Sequence, residues 1–380
     1  MPAVPSLADV RAAFDGWYPP ATAESWDAVG LTCGDPAEPV GRVLLAVDCV
    51  PATVAEAVGS GAQLLLTHHP LLLSGVHGVP ATDPKGALVH RMIRAGVAHL
   101  VAHTNADVAA TGVSQALADC LGLADVEPLD ADPGPALDQL SVYVPAADHD
   151  RLFAALTAAG AGAVGNYDQA SFTVSGQASY RPLPGADPFD GEVGVLTRKP
   201  EQEVTVVLPR HRRADVLAAM RHAHPYEEVA FTLTEQPRLP AGTGTGRIGM
   251  LARPVLLAEF TALVAARLPG TAWGVRAAGR PDRPVSRVAV CGGSGASYAD
   301  LARAGGADAY LTADLKHHST IEAVTEREGD LAPMALVDAA HWATEWPWLP
   351  VAAEQLRRRF PELEVDVSTI VTDPWTVHAH

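Results

Sequence analysis

Two segments far apart in this chain share one pattern: a short apolar run, a turn, a helix-length stretch and a second short apolar run. The first extends from Arg42 to Thr67 and the second from Arg287 to Thr312, so each spans 25 positions. Short apolar strands that alternate with helices are typical of a mainly parallel sheet covered on both faces. The equal spacing predicts an α/β fold in which two related halves form one core domain, although β-α-β units have similar lengths in many folds and the match could arise by chance.

Buried strands are predicted at 43–47, 63–67 and 97–102 in the first half, and at 287–291 and 309–312 in the second. Each run is short and rich in Val, Leu or Ala, and polar residues follow several of them. Loops at the carboxyl ends of parallel strands usually carry the functional site of such a fold. The polar residues that follow these strands are therefore the first candidates for chemistry.

The middle of the chain has a different pattern. Residues 130–135 and 237–246 are rich in Pro and Gly, which is the composition of a linker. Between them, apolar runs at 140–144 and 203–208 are each followed by Pro and a helix-like segment. This order predicts a small ferredoxin-like α+β module inserted into the outer domain.

The expected boundaries are 1–129 for the first half of the α/β core, 136–236 for the inserted module and 243–380 for the second half. At about 150 residues per domain, a chain of this length has room for two or three folding units. Apolar residues make up 48% of the chain and charged residues 19%, which argues against disorder.

The formal net charge is −17, from 27 Lys and Arg residues against 44 Asp and Glu residues, and only Lys85, Lys199 and Lys316 are lysines. Such a chain does not attract nucleic-acid phosphates or anionic lipid, which excludes nucleic-acid binding by bulk charge. No apolar run approaches the ~20 residues that cross a bilayer, and the first residues lack the basic and apolar regions of a signal peptide. The four cysteines form no C-x-x-C pair, so we expect a protein of the reducing cytoplasm with no membrane partner.

Two clusters of potential metal ligands follow predicted strands of the first half. His68 and His69 come directly after Thr67, and adjacent imidazoles at a strand end can line one cavity and serve two neighbouring ions. His103 and Asp107 follow the next strand and add an imidazole and a hard carboxylate. Either cluster could instead be structural, as one buried and one surface histidine in the first case and as a helix cap in the second.

The second half carries two further clusters. His341 and Glu345 are four residues apart, so on a helix they share one face and can reach one ion, and a carboxylate can also bridge two cations. Asp314, Lys316 and His317 follow the second predicted strand of this half, where a lysine could hold an anionic group of a substrate near metal ions. The alternatives are a surface pair on a helix for the first cluster and a capped helix start for the second.

Two glycine-rich motifs are poor candidates for nucleotide-binding loops. Residues 244–249 satisfy G-x-G-x-x-G, but they follow a predicted linker rather than a strand. Residues 292–295 lie between a strand and a helix and could approach a phosphate, although a tight turn is the simpler interpretation.

Together these motifs resemble the GTP cyclohydrolase 1 type 2 homologs, also called the NIF-three-like family of dinuclear-metal proteins. The resemblance extends over nearly the whole chain and rests on the order and spacing of several motifs: 25–31 (SWDAVGL), 66–70 (LTHHP), 103–107 (HTNAD), 246–249 (GRIG), 308–314 (DAYLTAD) and the pair His341 and Glu345. The middle of the chain, with 160–168 (GAGAVGNYD) and 224–228 (HPYEE), is similar to the CutA-like domain inserted in longer members of the family.

The resemblance implies a set of metal ligands in which His68 and Asp107 hold one ion. His69 and His341 would hold the other ion, and Glu345 would bridge the two. Three imidazoles and two carboxylates do not saturate two cations, so solvent would complete the coordination, as in a catalytic rather than a structural site. The His-rich set favours zinc or iron, with manganese, cobalt or magnesium as alternatives.

The resemblance also implies surroundings for this site. His103 would support it, and the chain would assemble into a ring-shaped homohexamer whose metal sites face an internal cavity. Ala313 and Ala340 stand where the family usually has glycine. These two departures could alter the local backbone or the shape of the cavity, but neither removes a ligand.

Three hypotheses for function follow. The first is a dinuclear metal-dependent hydrolase of a purine nucleotide, similar to a GTP cyclohydrolase, in which metal-bound water of pKa ~7 supplies a hydroxide that attacks C8 of the purine. The second is a non-enzymatic metal-handling or scaffold ring, and the third is a metal-dependent phosphoesterase. None of the motifs identifies guanine, so the sequence leaves open whether the chain is an enzyme.

Overall fold

A computed structural model describes residues 4–325 and 334–379 of the chain, which divides into two compact units. The first unit combines Met1–Asp132 with Gly242–His380. The second unit is the intervening segment Pro133–Ala241.

The described helices and strands fall into three stretches of the chain. The first contains α1 (Leu7–Trp17), β1 (Gly30–Cys33), β2 (Arg42–Ala46), α2 (Pro51–Ser60), β3 (Leu64–Thr67), α3 (Pro84–Arg94), β4 (Ala98–Val101), α4 (Thr104–Val108), α5 (Val113–Leu121) and β5 (Ala124–Pro133). The second contains β6 (Leu137–Val144), α6 (His149–Ala158), β7 (Ser171–Tyr180), β8 (Thr197–Pro209), α7 (Arg213–Ala223) and β9 (Phe231–Glu235). The third contains β10 (Pro240–Leu256), α8 (Leu257–Arg267), β11 (Val275–Ala278), β12 (Pro284–Ser294), α9 (Ala299–Ala304), β13 (Ala309–Ala313), α10 (His317–Val324), β14 (Ala335–Ala339), α11 (His341–Glu345), α12 (Trp348–Arg359) and β15 (Glu364–Val367). None of these helices is both long and apolar enough to cross a membrane.

The first unit contains two sheets with related strand orders, β1-β4-β3-β2-β15 and β11-β14-β13-β12-β10-β5. In the first sheet β15, β2, β3 and β4 are parallel, and β1 is antiparallel to β4. In the second sheet β12, β13 and β14 are parallel, and β11 is antiparallel to β14. The same four-strand arrangement therefore occurs twice, within a mixed α/β architecture of the kind that the sequence predicts.

The short parallel strands inside the two sheets are mostly apolar and buried because both faces of each sheet are covered. Every residue of β3 and of β13 is buried. Along β3, Leu64 and Leu66 belong to the large core of the unit, whereas Leu65 packs on the opposite face with Val54 of α2 and Met92 of α3. Successive side chains of a strand point to opposite faces, so a doubly covered sheet requires a continuous apolar run.

One hydrophobic core joins the two sheets of the first unit. It contains Leu45 from the first sheet, Val290 from the second, Leu117 from α5 and Trp348 from α12. Helix α5 packs on β12, α12 packs on β2, and the two helices contact each other. A layer of helices therefore connects the sheets and positions the carboxyl ends of their strands relative to one another.

The two segments predicted as linkers contain the unit boundaries, after Asp132 and after Ala241, but they are largely strand rather than flexible linker. β5 continues to Pro133 and β10 begins at Pro240. Their glycines serve close backbone approach rather than flexibility: a Cβ on Gly244 would lie 2.2 Å from the carbonyl oxygen of Asp130. Arg247, which is 1% exposed, donates from Nη1 to the carbonyl oxygens of Gly244 and Gly246 at 2.7 Å each. The glycine motif at 244–249 is thus part of a packed strand.

The second unit is built on an antiparallel sheet of order β7-β8-β6-β9. Its elements follow one another as β-α-β-β-α-β, which is the order of a ferredoxin-like module. Along β6, Leu140, Val142 and Val144 alternate into a core that also contains Leu152 of α6 and Val216 of α7. The alternation shows that one face of this sheet is covered by the two helices.

A buried carboxylate forms hydrogen bonds that stabilise this second unit. Asp138 in β6 is fully buried and accepts hydrogen bonds from Nε of Arg210 at 3.0 Å and from Nε of Arg213 at 2.7 Å. The guanidinium groups of Arg213 and Arg210 hold the pKa of this carboxyl below its usual range. The ionised carboxylate therefore stabilises the attachment of the α7 region to the sheet.

We expect Asp138→Asn to destabilise the second unit by about 1–3 kcal/mol at pH 7, because two charge-assisted hydrogen bonds lose their anionic acceptor. A carboxyl with a lowered pKa in the folded protein stabilises above its unfolded-state pKa, and that contribution is lost as pH falls through the folded-state value. The difference from wild type should therefore shrink as the pH falls below about 4, the usual pKa of an Asp carboxyl. Urea titrations at pH 7 and pH 3 measure the difference in unfolding free energy between the variant and wild type. Hydrogen exchange in peptides of the second unit follows the unfolding of that unit.

The control is Asp168→Asn, because Asp168 of the same unit is exposed and its side chain makes no hydrogen bond or ion pair with a described residue. This variant should change the unfolding free energy little at either pH. An Asp138→Asn effect of the same size at both pH values would contradict the assigned role of the ionised carboxylate.

Candidate metal centre

The candidate site lies where strands of both sheets of the first unit end. β3 is followed by His68 and His69, and β4 is followed by His103 and the short helix α4. In the second sheet, β14 is followed by α11, which begins at His341 and ends at Glu345. Because the parallel strands of a sheet end at the same edge, each sheet presents its polar residues together. We call these five residues and Asp107 of α4 the His–carboxylate cluster.

The carboxylate of Glu345 lies at the centre of this cluster. Its Oε1 is 2.9 Å from Nε2 of His341 and 3.4 Å from Nε2 of His68, and its Oε2 is 3.1 Å from Nε2 of His69. On the other side of His68, the same Nε2 is 3.6 Å from Oδ1 of Asp107. One carboxylate thus reaches three imidazoles, and His68 lies between two carboxylates.

All four imidazoles direct Nδ1 away from the cluster and bond it to an oxygen atom. The partners are Ala102 O for His68 at 3.0 Å, Asp48 Oδ1 for His69 at 2.7 Å, Asp27 Oδ1 for His103 at 2.8 Å and Asp314 Oδ2 for His341 at 2.7 Å. An imidazole that donates Nδ1–H presents the lone pair of Nε2 on its other side. This orientation, with a carboxylate or carbonyl behind the ring, is the one that metal-binding histidines adopt.

Three polar atoms at the centre of the cluster are buried and make no hydrogen bond to any described residue: Nε2 of His68, Oδ1 of Asp107 and Oε2 of Glu345. A buried polar atom without a partner costs about 1–3 kcal/mol. Ligand atoms of His68, His69 and His103 lie within 4.8 Å of one another, as do those of His69, His341 and Glu345. A divalent cation would satisfy these atoms, so the residues present fit bound metal.

Charges inside the cluster shift the pKa values of its members. Burial alone would raise the pKa of Glu345, but the three surrounding imidazoles outweigh it and hold that pKa well below its usual range. The Glu345 carboxylate raises the pKa of His341 to about 11. Burial opposes protonation of His69, yet Glu345 and Asp48 raise its pKa to about 10. Without a cation these imidazoles carry protons at neutral pH, so binding of a metal ion would release protons.

His103 differs from the other imidazoles in its protonation. Burial, reinforced by the neighbouring His68, lowers the pKa of His103 to about 4. The ring is therefore neutral at physiological pH, with Nδ1–H donated to Asp27 and the lone pair of Nε2 free. His103 can consequently act as a further ligand as well as a supporting residue.

Asp27 and Asp48 are parts of the site that the sequence analysis did not single out. The carboxylate of Asp27 also accepts hydrogen bonds from the backbone N–H of Thr104 at 3.0 Å and from its hydroxyl at 2.5 Å, which fixes it behind His103. Asp48 follows β2, so a further strand end contributes to the site. Asp27 falls within a family-like motif, and Asp48 ends a predicted strand, but neither position alone indicates which histidine it orients.

Of the three candidate residues predicted after β13, the structure places one in contact with the cluster and two outside it. Asp314 joins the cluster through its hydrogen bond to His341, and its backbone has φ of +57°, in the left-handed region that is unfavourable for a non-glycine residue. Lys316 and His317 are exposed, and the described residues show no contact between their side chains and the cluster. His317 instead lines a separate cavity of about 260 Å³ beside Asp338.

Three small residues next to the cluster leave little room for a larger side chain. Ala313 and Ala340, the two departures from the family pattern, are almost completely buried. Gly293 has φ of +65°, and a Cβ there would lie 2.5 Å from Oε1 of Glu345 and 3.1 Å from Nε2 of His341. Gly293 lies near the end of β12, so the predicted turn at 292–295 is strand up to Ser294, and bare backbone of that strand lies against the cluster.

A cavity of about 260 Å³ opens beside the cluster within the first unit. One side is formed by cluster and supporting residues, among them His69, His341 and Asp314, and the other by Trp273, Asp373 and Trp375. The arrangement offers a small molecule access to the outer side of the His69 and His341 imidazoles.

Comparison with known sequences identifies the family. The profile described as Duf34/NIF3 (NGG1p interacting factor 3) matches residues 5–374. The chain belongs to the DUF34/NIF3 family. A relative from Mycobacterium tuberculosis, named GTP cyclohydrolase 1 type 2 homolog, is 50% identical over 373 residues, which cover 98% of this chain and 97% of the relative. The family resemblance inferred from the motifs is thereby confirmed.

Two solved structures are similar to this one along nearly the whole chain. A Bacillus cereus protein related to NIF3 matches with a TM-score of 0.71 and 30% identity, covering 98% of this chain and 99% of that chain. Staphylococcus aureus protein SA1388 matches with a TM-score of 0.80 and 26% identity, with the same coverage. The mixed α/β architecture is therefore that of the family.

We expect Gly293→Ala to reduce the amount of metal that copurifies with the protein. The added methyl group would overlap with Glu345 and His341 and displace both side chains from their present positions. The matched control is Gly306→Ala, since Gly306 also has positive φ, +75°, but has no atom within 4 Å of an added Cβ. Both variants share a backbone penalty of about 1 kcal/mol. Elemental analysis should show metal loss for Gly293→Ala alone, and equal metal contents would contradict the crowding argument.

Proposed function

We propose that this DUF34/NIF3 protein binds two divalent cations in the His–carboxylate cluster and uses them to hydrolyse a purine nucleotide, in a reaction similar to that of a GTP cyclohydrolase. The observation that carries the proposal is the set of inward-facing Nε2 atoms around a buried carboxylate, with three buried polar atoms that lack hydrogen bonds. Structural needs alone do not explain such a set, because unpartnered buried polar atoms are destabilising.

The proposed ligands divide between two cations. His68 and Asp107 would hold one, His69 and His341 the other, and Glu345 would bridge them, since its carboxylate lies within 3.4 Å of imidazoles assigned to both ions. The imidazole ligands favour zinc or iron over manganese, cobalt or magnesium. His103 would support the site from the side of His68 without binding an ion.

The bound cations would supply Lewis-acid polarisation of a substrate oxygen and acidification of a bound water molecule. The residues of the chain provide the rest. Asp48 and Asp314 hold the rings of His69 and His341 in place through their Nδ1 atoms. His103, neutral because of its low pKa, can accept a proton at Nε2 during hydrolysis. The adjoining cavity gives the substrate a place beside the ligands.

We also propose roles for the parts of the chain outside the site. Residues 1–129 and 243–380 would form the two halves of the metal-binding core, and 136–236 a CutA-like insertion whose β-α-β-β-α-β order supports that assignment. A homohexameric ring remains a proposal from family resemblance. Exposed apolar side chains in the second unit, including Phe172 and Leu183, support self-association.

Freshly purified protein should contain about two metal equivalents per chain, the occupancy of a two-ion site. His68→Ala should lose at least one of them, because the fully buried His68 lies between both carboxylates. His77→Ala, at an exposed histidine, is the control and should keep both. Elemental analysis checks the result, and an unchanged metal content in His68→Ala would contradict the proposed ligand set.

Incubation of the metal-loaded protein with GTP should yield a formylated or ring-opened purine product, with no product above background for His68→Ala. Product analysis by mass spectrometry separates the three candidate functions. Release of phosphate with an intact purine would instead support a phosphoesterase. Weakly held, exchangeable metal without turnover of any nucleotide would support a metal-handling or scaffold role and contradict hydrolysis.

A further inference from the structure

The cavity beside the His–carboxylate cluster carries a second set of features that metal binding does not use. We propose that Trp273, Asp373 and Trp375 form a base-recognition subsite that selects a guanine-type purine by hydrogen bonding and stacking. This inference rests on the proposed function in taking a nucleotide as the ligand. The inference extends the proposed function because it assigns the side chains that would recognise the purine base.

Two residues of this subsite carry polar atoms without partners. Asp373 is only 6% exposed, and its Oδ2 is buried and makes no hydrogen bond to any described residue. Nε1 of Trp273 is likewise buried and unpartnered within the described part of the chain. Both residues line the cavity. In the proposed subsite, the Asp373 carboxylate supplies an acceptor and the Trp273 indole N–H a donor to a molecule bound there, because leaving both unsatisfied costs free energy.

Aromatic surface lies next to these atoms. The rings of Trp273 and Trp375 have centroids 5.6 Å apart and are inclined by 39°. The guanidinium carbon of Arg276 lies 4.4 Å from the centre of the Trp273 ring and covers that ring with a cation–π contact. Trp375 remains 60% exposed, so it offers a free face on which a planar base can stack.

The size of the cavity favours a base over a whole nucleotide. Its volume of about 260 Å³ lies below the ~300–1,000 Å³ typical of sites that enclose drug-sized ligands. A purine base can enter, while the ribose and phosphates of a nucleotide would remain outside or toward the cluster. Recognition in this cavity is therefore recognition of the base.

The chemistry of the two unpartnered atoms selects among bases. A carboxylate only accepts hydrogen bonds, so Asp373 requires donors. Guanine presents N1–H and the N2 amino group side by side, with the acceptor O6 next to them for the N–H of Trp273. Adenine places the lone pair of N1 beside its amino group, and that lone pair would face a carboxylate oxygen unfavourably. In this proposal, the complementarity of donors and acceptors favours guanine over adenine.

The subsite is tied to the cluster through the segment after β15. Ser368 donates its backbone N–H to the carbonyl of Leu45 at 2.8 Å and its hydroxyl to Glu56 at 2.6 Å. The hydroxyl of Thr372 donates to Asp48, which orients His69. Asp373 and Trp375 follow directly on this anchored stretch. Base recognition and the orientation of a proposed metal ligand therefore depend on the same short segment.

The test measures binding of the nucleosides guanosine, adenosine and xanthosine to the purified protein by calorimetry, without any turnover. Wild type should bind guanosine about tenfold or more tightly than adenosine, the size of one bidentate contact. Asp373→Asn should lose this preference and gain affinity for xanthosine, because the new amide can donate to the 2-oxo group of xanthine. Asp300→Asn, at a 92% exposed side chain, is the matched control and should behave as wild type.

The outcomes separate this inference from the proposed function. Guanosine selectivity that Asp373→Asn does not change, or equal binding of guanosine and adenosine by wild type, would overturn the subsite even if the protein hydrolyses a nucleotide. Selective guanosine binding that shifts to xanthosine in the variant would support the subsite even if no hydrolysis is found. Metal content measured on the same samples shows whether the cluster itself is intact.

Discussion

The burial of the Glu345 carboxylate among imidazoles is the interaction on which the rest of the site depends. Glu345 is 3% exposed, and its oxygens lie within 3.4 Å of His68, His69 and His341. An isolated carboxylate in this position would be strongly unfavourable, so positive charge must accompany it, as protons on the rings or as bound cations. Since the rings come from both sheets, this charge balance also links the two halves of the first unit.

The repeated strand arrangement explains how one site draws on both sheets. After β4 and after β14 the chain places a histidine two positions beyond the strand and a carboxylate four positions further: His103 with Asp107, and His341 with Glu345. The halves differ after the preceding strand, where the first sheet supplies two histidines and the second supplies Asp314. In this arrangement the first half provides more inward-facing rings, and the second provides the central carboxylate and the oxygen that orients His341.

Part of this organisation was predictable from residue types. The strand expected at 63–67 corresponds to Leu64–Thr67, because a doubly covered sheet demands a continuous apolar run. The strand expected at 309–312 corresponds to Ala309–Ala313 for the same reason. The segment 237–246 contains a unit boundary, as expected of a linker, but most of it is strand. Glycine has two opposite uses: it permits flexibility, and it permits the close approach of two backbones seen at Gly244. Composition does not distinguish these uses.

Local sequence patterns were enough to predict the class of fold and the strand ends at which the clustered side chains lie, because apolar periodicity and the position of polar residues after a strand are local properties. The partner of each histidine, in contrast, follows from the packing of distant segments. Asp27 orients His103 from 76 positions away, and the cavity joins Trp273 to Asp373 from opposite ends of the second half. Such pairings depend on how helices and sheets pack around a common core, and no local pattern in the chain encodes a distance between residues that meet only after folding.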